Sequence, residues 1–188
     1  MQPIHKGRLE SFSDGVFAIA ITLLALELKV PHIVNTNLQL SLKELLPLIP
    51  NIATFVLSFI AIAIFWVNHH QLTRSVDNVS RRIIWSNILF LMFLTLIPFA
   101  TSVVAENPGN TLSILTYSFI LLGNSLSFTG LHYFIHKHDG KKIHSFKRSA
   151  VGPIIYMCAV ISAFISVKAA YAFLIIPPLF YFLPRSER

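Results

Sequence analysis

Charged residues are scarce in this chain. Only 12% of its 188 residues are Asp, Glu, Lys or Arg, about half the share usual in a soluble domain, whereas 54% are hydrophobic. Cysteine is scarcer still, because Cys158 stands alone, and this excludes an intramolecular disulfide. The composition therefore predicts an all-α, polytopic membrane protein in which residues 1–188 form a single membrane domain.

Catalytic signatures are also absent. The sequence contains no GxSxG, no HExxH, no glycine-rich phosphate loop and no paired inward carboxylates. A TVGYG-type run, which would build a filter from backbone carbonyls, is missing as well. We therefore expect no enzyme activity and no cofactor. A polar patch at 10–14 precedes the first apolar run and no small-residue cleavage site ends it, so we expect no cleavable signal peptide.

Six apolar segments can be read as membrane spans. They lie at about 12–30, 51–72, 83–105, 112–135, 149–167 and 169–184. A polar loop at 32–41 and a short amphipathic piece at 42–50 separate the first two, and the last two form a tight hairpin. Pro177 and Pro178 interrupt the sixth. The FSDG stretch does not recur, so any pseudo-symmetry must come from the association of several chains.

Basic residues are distributed unequally between the two ends of these spans. Twelve of the fifteen lysines and arginines fall on the side that holds both termini, and three, at Lys29, Lys43 and Lys168, fall on the other. Lys and Arg accumulate in cytoplasmic loops. We therefore place both termini in the cytoplasm, and interpret the net charge of +7 as this bias rather than as a sign of nucleic-acid binding.

The first span carries carboxylates that a lipid-facing helix would avoid. Asp14 and Glu27 are thirteen residues apart, about 20 Å along a helix, whereas the hydrocarbon core is about 30 Å thick. At least one of them therefore lies at membrane depth and faces protein or water. A central aqueous path would solvate it, and Glu27 would concentrate cations in an outer vestibule. Alternatively, Glu27 is an interfacial charge beside Lys29.

A seam runs along the first span at alternating steps of three and four residues. Its members are Phe12, Gly15, Ile19, Thr22, Leu26 and Lys29. Ile19 and Leu26 lie almost in line, with Thr22 and Leu23 on either side. Around a symmetry axis, several copies would form apolar rings with one hydroxyl layer between them. Plain helix packing produces the same spacing, and the pattern alone favours packing.

Two polar groups lie at matching depth near the inner surface. Arg8, Ser13 and Asp14 form the first, which either caps the helix or fixes it against its neighbours as a buried polar knot. Trp66 and His69, three residues apart on one helix face, belong to the second. At this depth Asp14 and His69 are natural partners, although a Trp or His at an interface is often only an anchor.

Four histidines surround the basic segment 137–148. They are His132, His136, His138 and His144. A metal site needs convergent ligands, usually with a carboxylate or thiolate, and the irregular spacing in basic surroundings argues against one. We expect no metal here, and expect the loop to contact anionic lipid headgroups.

Three motifs resemble those of the transmembrane protein 175 family, the potassium channels of endosomes and lysosomes and their prokaryotic relatives. They are RxxxFSDG at Arg8–Gly15, running into FAIAIT and closed by Pro31; FWVNHH at 65–70; and LTLIPFATSVVAEN at 94–107. The six-span layout and the length match prokaryotic members, so the resemblance covers essentially the whole chain. It implies a multi-pass protein of a prokaryotic plasma membrane.

The resemblance also implies a homotetramer in which the first helices line a central pore for potassium, without a carbonyl filter. It places the narrow apolar constriction at Ile19, a hydroxyl layer at Thr22 and a further apolar ring at Leu26. The motif residues of the family map onto Arg8, Phe12, Ser13 and Asp14, supported by Trp66 and His69.

A secondary transporter that uses Asp14 and His69 as a proton or cation relay is the main alternative. Transporters often show inverted repeats and interrupted helices. This sequence shows no repeat, and only its sixth span is clearly broken by proline. A membrane enzyme or lipid-binding scaffold is the second alternative, and the lack of a catalytic cluster counts against it.

Overall fold

The computed structural model describes residues 6–28, 45–46, 48–74, 76, 79–139 and 149–182, without the side chains at 138–139 and 178–182. Every regular element in these ranges is a helix, which confirms the predicted all-α class. Several predicted features lie outside the described residues: the loop at 32–41, residues 42–44 and 47 of the piece at 42–50, the basic loop from 140 to 148, Lys29, Pro31, and the span ends at 29–30 and 183–184.

The described residues form six apolar segments, of which the third is divided into two helices. The helices are α1 (Lys6–Leu26), α2 (Leu48–Arg74), α3 (Arg81–Thr95), α4 (Ile97–Glu106), α5 (Thr111–Asp139), α6 (Val151–Ala163) and α7 (Val167–Phe182). Four segments, namely α1, α2, α3 with α4, and α5, are long and apolar enough to cross a membrane. The other two, α6 and α7, are shorter apolar helices.

The third segment is interrupted at Leu96, between α3 and α4. Pro98 has no N–H with which to continue the helical ladder. The N–H of Leu96 donates to the carbonyl of Phe93 at 3.2 Å, which ends the first helix with a tighter turn. The helical pattern starts again with the N–H of Ala100, which donates to the carbonyl of Leu96 at 3.0 Å. The membrane segment therefore contains a local break near its middle.

The sixth segment, by contrast, is continuous. α7 runs as one helix through Pro177 and Pro178. Two adjacent prolines remove two helical hydrogen bonds, but neighbouring groups can satisfy freed carbonyls in a membrane helix. The predicted interruption of the sixth segment is therefore wrong, and proline interrupts the third segment instead.

α5 is the helix around which the chain packs, and it contacts α2, α3, α4, α6 and α7. Two glycines allow close approach: a side chain at Gly123 would overlap the Phe93 ring of α3, and one at Gly152 of α6 would overlap Ser125 of α5. Small residues of this kind let membrane helices pack with their backbones close together. α1 lies at the edge of this bundle, against α2, α3 and α4.

The two ends of the bundle differ in charge. One end, which we call the basic end, carries Lys6, Arg8, Arg74, Arg81, Arg82 and Lys137. Here the Lys6 Nζ donates to the Arg74 carbonyl at 2.8 Å, which ties the start of α1 to the end of α2. The opposite end, the turn end, holds the short connection at 107–110, where the Tyr171 hydroxyl donates to the Pro108 carbonyl at 3.0 Å.

Three buried hydroxyls join α2, α4 and α5 in the half of the bundle nearer the turn end. The Thr101 Oγ1 lies 2.7 Å from the Ser58 Oγ, which lies 2.9 Å from the Tyr117 Oη. All three residues are almost completely buried. Because a buried hydroxyl without a partner is costly, this cluster sets how the three helices align.

We expect Ser58→Ala to destabilise the protein more than Tyr117→Phe does. Ser58→Ala leaves the Tyr117 hydroxyl buried without a partner, which costs about 2 kcal/mol, whereas Tyr117→Phe removes the hydroxyl itself and costs about 1 kcal/mol. In the double variant the orphaned group is gone, so the two losses should not add. Thermal unfolding of the purified protein in detergent measures this.

Thr95→Ala is the control for that series, since the Thr95 hydroxyl donates only to its own helix and is exposed. It should leave the melting temperature nearly unchanged. Fully additive losses in the double variant would mean that the three hydroxyls do not act as one cluster.

Candidate functional site

α1 has one covered face and one uncovered face. Its buried residues recur at steps of three and four and are Leu9, Ser13, Phe17, Ala20 and Leu24. The four residues predicted to line a pore are all exposed in the subunit: Ile19, Thr22, Leu23 and Leu26. Ile19 is 60% exposed. An apolar face of this size must be covered by lipid or by another subunit.

The Thr22 hydroxyl directs its hydrogen towards the helix backbone. Its Oγ1 lies 3.0 Å from the Ala18 carbonyl oxygen and 2.9 Å from that of Ile19. A hydroxyl has one hydrogen to donate and two lone pairs. Since the hydrogen is used within the helix, the lone pairs stay available to a cation or a water molecule on the uncovered face.

Glu27 follows directly on the end of α1, where its N–H donates to the Leu24 carbonyl at 3.2 Å. The residue is half-buried, and it forms no ion pair within the part of the chain that the structure describes. It therefore places a negative charge at the turn end of the helix. Lys29, the expected neighbour of this charge, lies outside the described residues.

A chain of three buried polar side chains ties the covered face of α1 to α2 and α3. The Ser13 Oγ donates to the Leu9 carbonyl at 2.8 Å and accepts from the Asn87 Nδ2 at 2.9 Å. The Asn87 Oδ1 lies 2.8 Å from the His69 Nε2. We call this chain the polar clamp, because rotating α1 would break the bond from Asn87 to Ser13 and leave a buried amide hydrogen unpaired in a dry interior.

Aromatic rings surround the clamp. The His69 ring lies 5.6 Å from both the Phe17 ring and the Phe90 ring, and is nearly parallel to the latter, at 12°. Phe65 and Phe128 pack on Phe90 at 5.9 and 5.3 Å. The low local dielectric strengthens the enclosed hydrogen bonds and raises the cost of breaking them.

Asp14 makes a separate contact beside the clamp. The Trp66 Nε1 donates to the Asp14 Oδ1 at 3.0 Å, and the Trp66 ring stacks on His70 with 5.7 Å between ring centroids. Ser13 thus binds to α3, and its neighbour Asp14 binds to α2 at the same depth in the bundle. The start of α1 is held from two directions.

The expected partnership of Asp14 with His69 is not formed in the structure. Trp66 binds Asp14, whereas Asn87 binds His69. The orientation of α2 explains the difference, because Trp66 is 41% exposed at its edge and His69, at 2%, points into the core. The relay on which the transporter alternative depends is therefore not assembled here.

The remaining two motif residues take no part in the clamp. Arg8 and Phe12 are exposed and lie on the same side of α1 as Ile19. Within the described residues, Arg8 forms no hydrogen bond or ion pair. The two residues extend the uncovered face of α1 towards the basic end.

Sequence reasoning missed Asn87. The available signal was a lone amide inside the otherwise apolar run IIWSNILFLMF, because a polar side chain within a membrane segment needs a partner. Which partner it finds depends on how α3 lies against α1 and α2. That is a property of the tertiary structure.

Two histidines of α5 are neighbours in the structure. The His132 and His136 rings lie 4.3 Å apart. Among the described residues there is no group of three or more His, Cys, Asp or Glu side chains that could hold a metal ion. His144 lies outside those residues, as does the side chain of His138.

Comparison with known proteins places these features in a family. The family described as endosomal/lysosomal potassium channel TMEM175 matches residues 8–98. A potassium channel from a Chryseobacterium species is 33% identical over 185 residues, covering 95% of this chain and 93% of the relative. This chain belongs to the TMEM175 family. The matched region of the TMEM175 family includes α1 from Arg8 onwards and all three residues of the polar clamp.

A solved TMEM175 structure has the same fold. The crystal structure of a lysosomal potassium-selective channel TMEM175 homolog from Chamaesiphon minutus matches with a TM-score of 0.86 and 33% identity, over 95% of this chain and 96% of that one. A potassium channel from Chamaesiphon minutus is 37% identical over 177 residues, covering 87% of this chain and 86% of the relative. These relatives are named as channels, and the apolar helices of this chain make it a multi-pass membrane protein.

Asn87→Ala should unfold the protein at a clearly lower temperature. The change leaves the Ser13 hydroxyl without its donor and the His69 Nε2 without its acceptor, so we expect a loss of about 2–4 kcal/mol. Asn68→Ala on α2 is the matched control, because the half-buried Asn68 donates only to the Ile64 carbonyl of its own helix. Equal melting temperatures for the two variants in detergent would contradict a clamping role for Asn87.

Proposed function

We propose that this chain forms a potassium-permeable cation channel in which α1 from each of four identical subunits lines a central pore. An apolar constriction at Ile19 takes the place of a carbonyl selectivity filter. The channel lies in the plasma membrane of a prokaryotic cell with both termini in the cytoplasm, so the basic end is the cytoplasmic end. Potassium is the permeant ion, and no cofactor takes part.

The observation that carries this proposal is the uncovered face of α1. Ile19, Thr22, Leu23 and Leu26 lie opposite the residues that pack on α2 and α3. Lipid could cover the apolar members of this face, but it would leave Glu27 poorly solvated at or near membrane depth. A water-filled axis accommodates both the apolar rings and this charge.

The continuity of α1 argues against a filter of backbone carbonyls. The helix is unbroken from Lys6 to Leu26, so the carbonyls along most of its length accept hydrogen bonds within the helix. The groups that α1 offers to an ion are therefore side chains. Selectivity must come from the width of the apolar ring and from the hydroxyl layer.

Gating follows from the same arrangement. Four Ile19 side chains that meet at the axis would close the pore by excluding water, without moving a charged gate. A small rotation or separation of the α1 helices would wet the constriction. Beside it, four Thr22 hydroxyls would replace part of the water around a cation, and potassium gives up its hydration more easily than sodium.

The charged ends complete the path. Glu27 at the turn end would raise the local concentration of cations in an outer vestibule. At the other end, the polar clamp and the contact between Asp14 and Trp66 hold α1 against its own subunit. The motif residues Ser13, Asp14, Trp66 and His69 thus support the pore wall, and the ions pass along the opposite face of α1.

A cysteine placed at the constriction should react from the water phase. With Cys158 replaced by Ser, Ile19→Cys should lose most of its potassium flux in liposomes when a water-soluble methanethiosulfonate reagent is added, because the modified side chain obstructs the pore. Ile154→Cys is the matched control. Ile154 is 62% exposed, nearly the same as Ile19 at 60%, but lies on α6.

Equal sensitivity of the two variants, or none in either, would contradict a constriction at Ile19. The same liposomes distinguish the transporter alternative. A channel dissipates a potassium gradient without coupling to a counter-ion once the charge is balanced by an ionophore, whereas obligatory exchange would support a transporter.

Thr22→Val should lower the preference for potassium over sodium. The change keeps the shape of the side chain but removes the oxygen, and we expect the permeability ratio to fall about fivefold, the effect of about 1 kcal/mol. The reversal potential with potassium on one side and sodium on the other measures it. Thr95→Val is the matched control, because the Thr95 hydroxyl makes the same kind of bond to its helix, at 2.8 Å from the Met92 carbonyl. Thr95 lies on α3, away from the proposed pore wall, so this change should leave the ratio unchanged. An unchanged ratio in Thr22→Val would remove the hydroxyl layer from the proposal.

A further inference from the structure

A groove opens at the basic end of the bundle, between the start of α3 and the second half of α5. Its volume is about 410 Å³, and its lining comprises Arg81, Arg82, Trp85, Ser86 and Phe134. None of these residues belongs to the polar clamp or to the uncovered face of α1. The groove is therefore separate from the proposed ion path.

Two arginines line this groove. Arg81 and Arg82 are both exposed, and within the described residues neither forms an ion pair or a hydrogen bond through its side chain. The first turn of α3 contains no acidic residue. The two adjacent charges repel each other, and an anion between them would relieve that repulsion. Arginine suits a phosphate because its planar fork can donate two hydrogen bonds at once.

The rest of the groove is shaped for an amphipathic molecule. Trp85 is 63% exposed, and Phe134 of α5 forms part of the opposite wall. The half-buried Ser86 adds a hydroxyl. An exposed tryptophan beside arginines is typical of the level where headgroups meet acyl chains.

An apolar track continues from the groove along α3. Its members are Trp85, Ile88, Leu89 and Met92, all of them exposed. Steps of three and four residues place them on the same helix face as the two arginines. From Arg82 to Met92 this face extends about 15 Å, a length comparable with that of an acyl chain.

We infer that this groove binds an anionic phospholipid of the leaflet at the basic end. Its phosphate lies between the guanidinium groups of Arg81 and Arg82, within reach of the Ser86 hydroxyl. One acyl chain follows Trp85 and the apolar track of α3. A zwitterionic lipid would bring its own cation close to the two arginines, so the site prefers lipids of net negative charge.

Brominated lipids test this inference, because bromine on an acyl chain quenches the fluorescence of a tryptophan in contact with it. The full-length protein is reconstituted in phosphatidylcholine vesicles that contain a small fraction of brominated phosphatidylglycerol or, separately, of brominated phosphatidylcholine. The chain has two tryptophans. The signal of Trp85 is taken as the difference between the unmodified protein and Trp85→Phe, which removes the contribution of Trp66.

We expect phosphatidylglycerol to occupy the site about fivefold or more in preference to phosphatidylcholine at equal mole fraction. The double variant Arg81→Gln/Arg82→Gln should lose this preference. The control Arg74→Gln/Lys137→Gln removes two charges from the same end of the bundle but outside the groove, and should keep it.

Four outcomes would overturn the inference. Equal quenching by the two lipids, or equal loss in both double variants, would show only the general attraction of a basic surface. Relief of the quenching by millimolar inorganic phosphate would mean that a soluble anion occupies the arginines. Absence of quenching by either lipid would mean that another subunit covers this face of α3.

Discussion

The polar clamp of Ser13, Asn87 and His69 determines the rotation of α1 about its own axis. Apolar packing alone would constrain the rotation of this helix weakly, because α1 carries apolar residues all around its axis and any of them can face lipid. A hydrogen-bonded serine is different, since breaking the bond between Asn87 and Ser13 in a dry interior leaves the Asn87 amide hydrogen unsatisfied. The clamp therefore decides which apolar residues point away from the subunit, although Ile19 and Leu26 do not touch it.

The chain thus combines a tightly packed group of helices with one helix, α1, that keeps an uncovered face. α5 forms a tightly packed frame with α3 and α6, where Gly123 and Gly152 allow close approach. One polar cluster lies nearer each end, with the amide and imidazole of the clamp towards the basic end and the hydroxyls of Ser58, Thr101 and Tyr117 towards the turn end. α1 lies at the edge of this frame. A helix in that position can line a shared axis without disturbing the core of its own subunit.

Much of this architecture could be predicted because its causes are local in the chain. Long apolar runs with few charges indicate membrane helices wherever they occur, and the RxxxFSDG motif carries the resemblance to the TMEM175 family within eight residues. Effects of proline were predicted less well. Pro98 interrupts the third segment while Pro177 and Pro178 do not interrupt the sixth, since the outcome depends on which neighbours satisfy the freed carbonyls.

The sequence by itself determined the membrane class, the six apolar segments and the family motif at the start of α1, because hydropathy and short-range spacing are properties of consecutive residues. Only the tertiary structure decided the partners of the polar residues. Asp14 and His69 lie at similar depth, yet the orientation of α2 turns Trp66 towards the carboxylate and His69 towards Asn87. Asn87 is 74 residues from Ser13 along the chain. No periodicity within one helix can specify such a contact, because it depends on how three helices pack together.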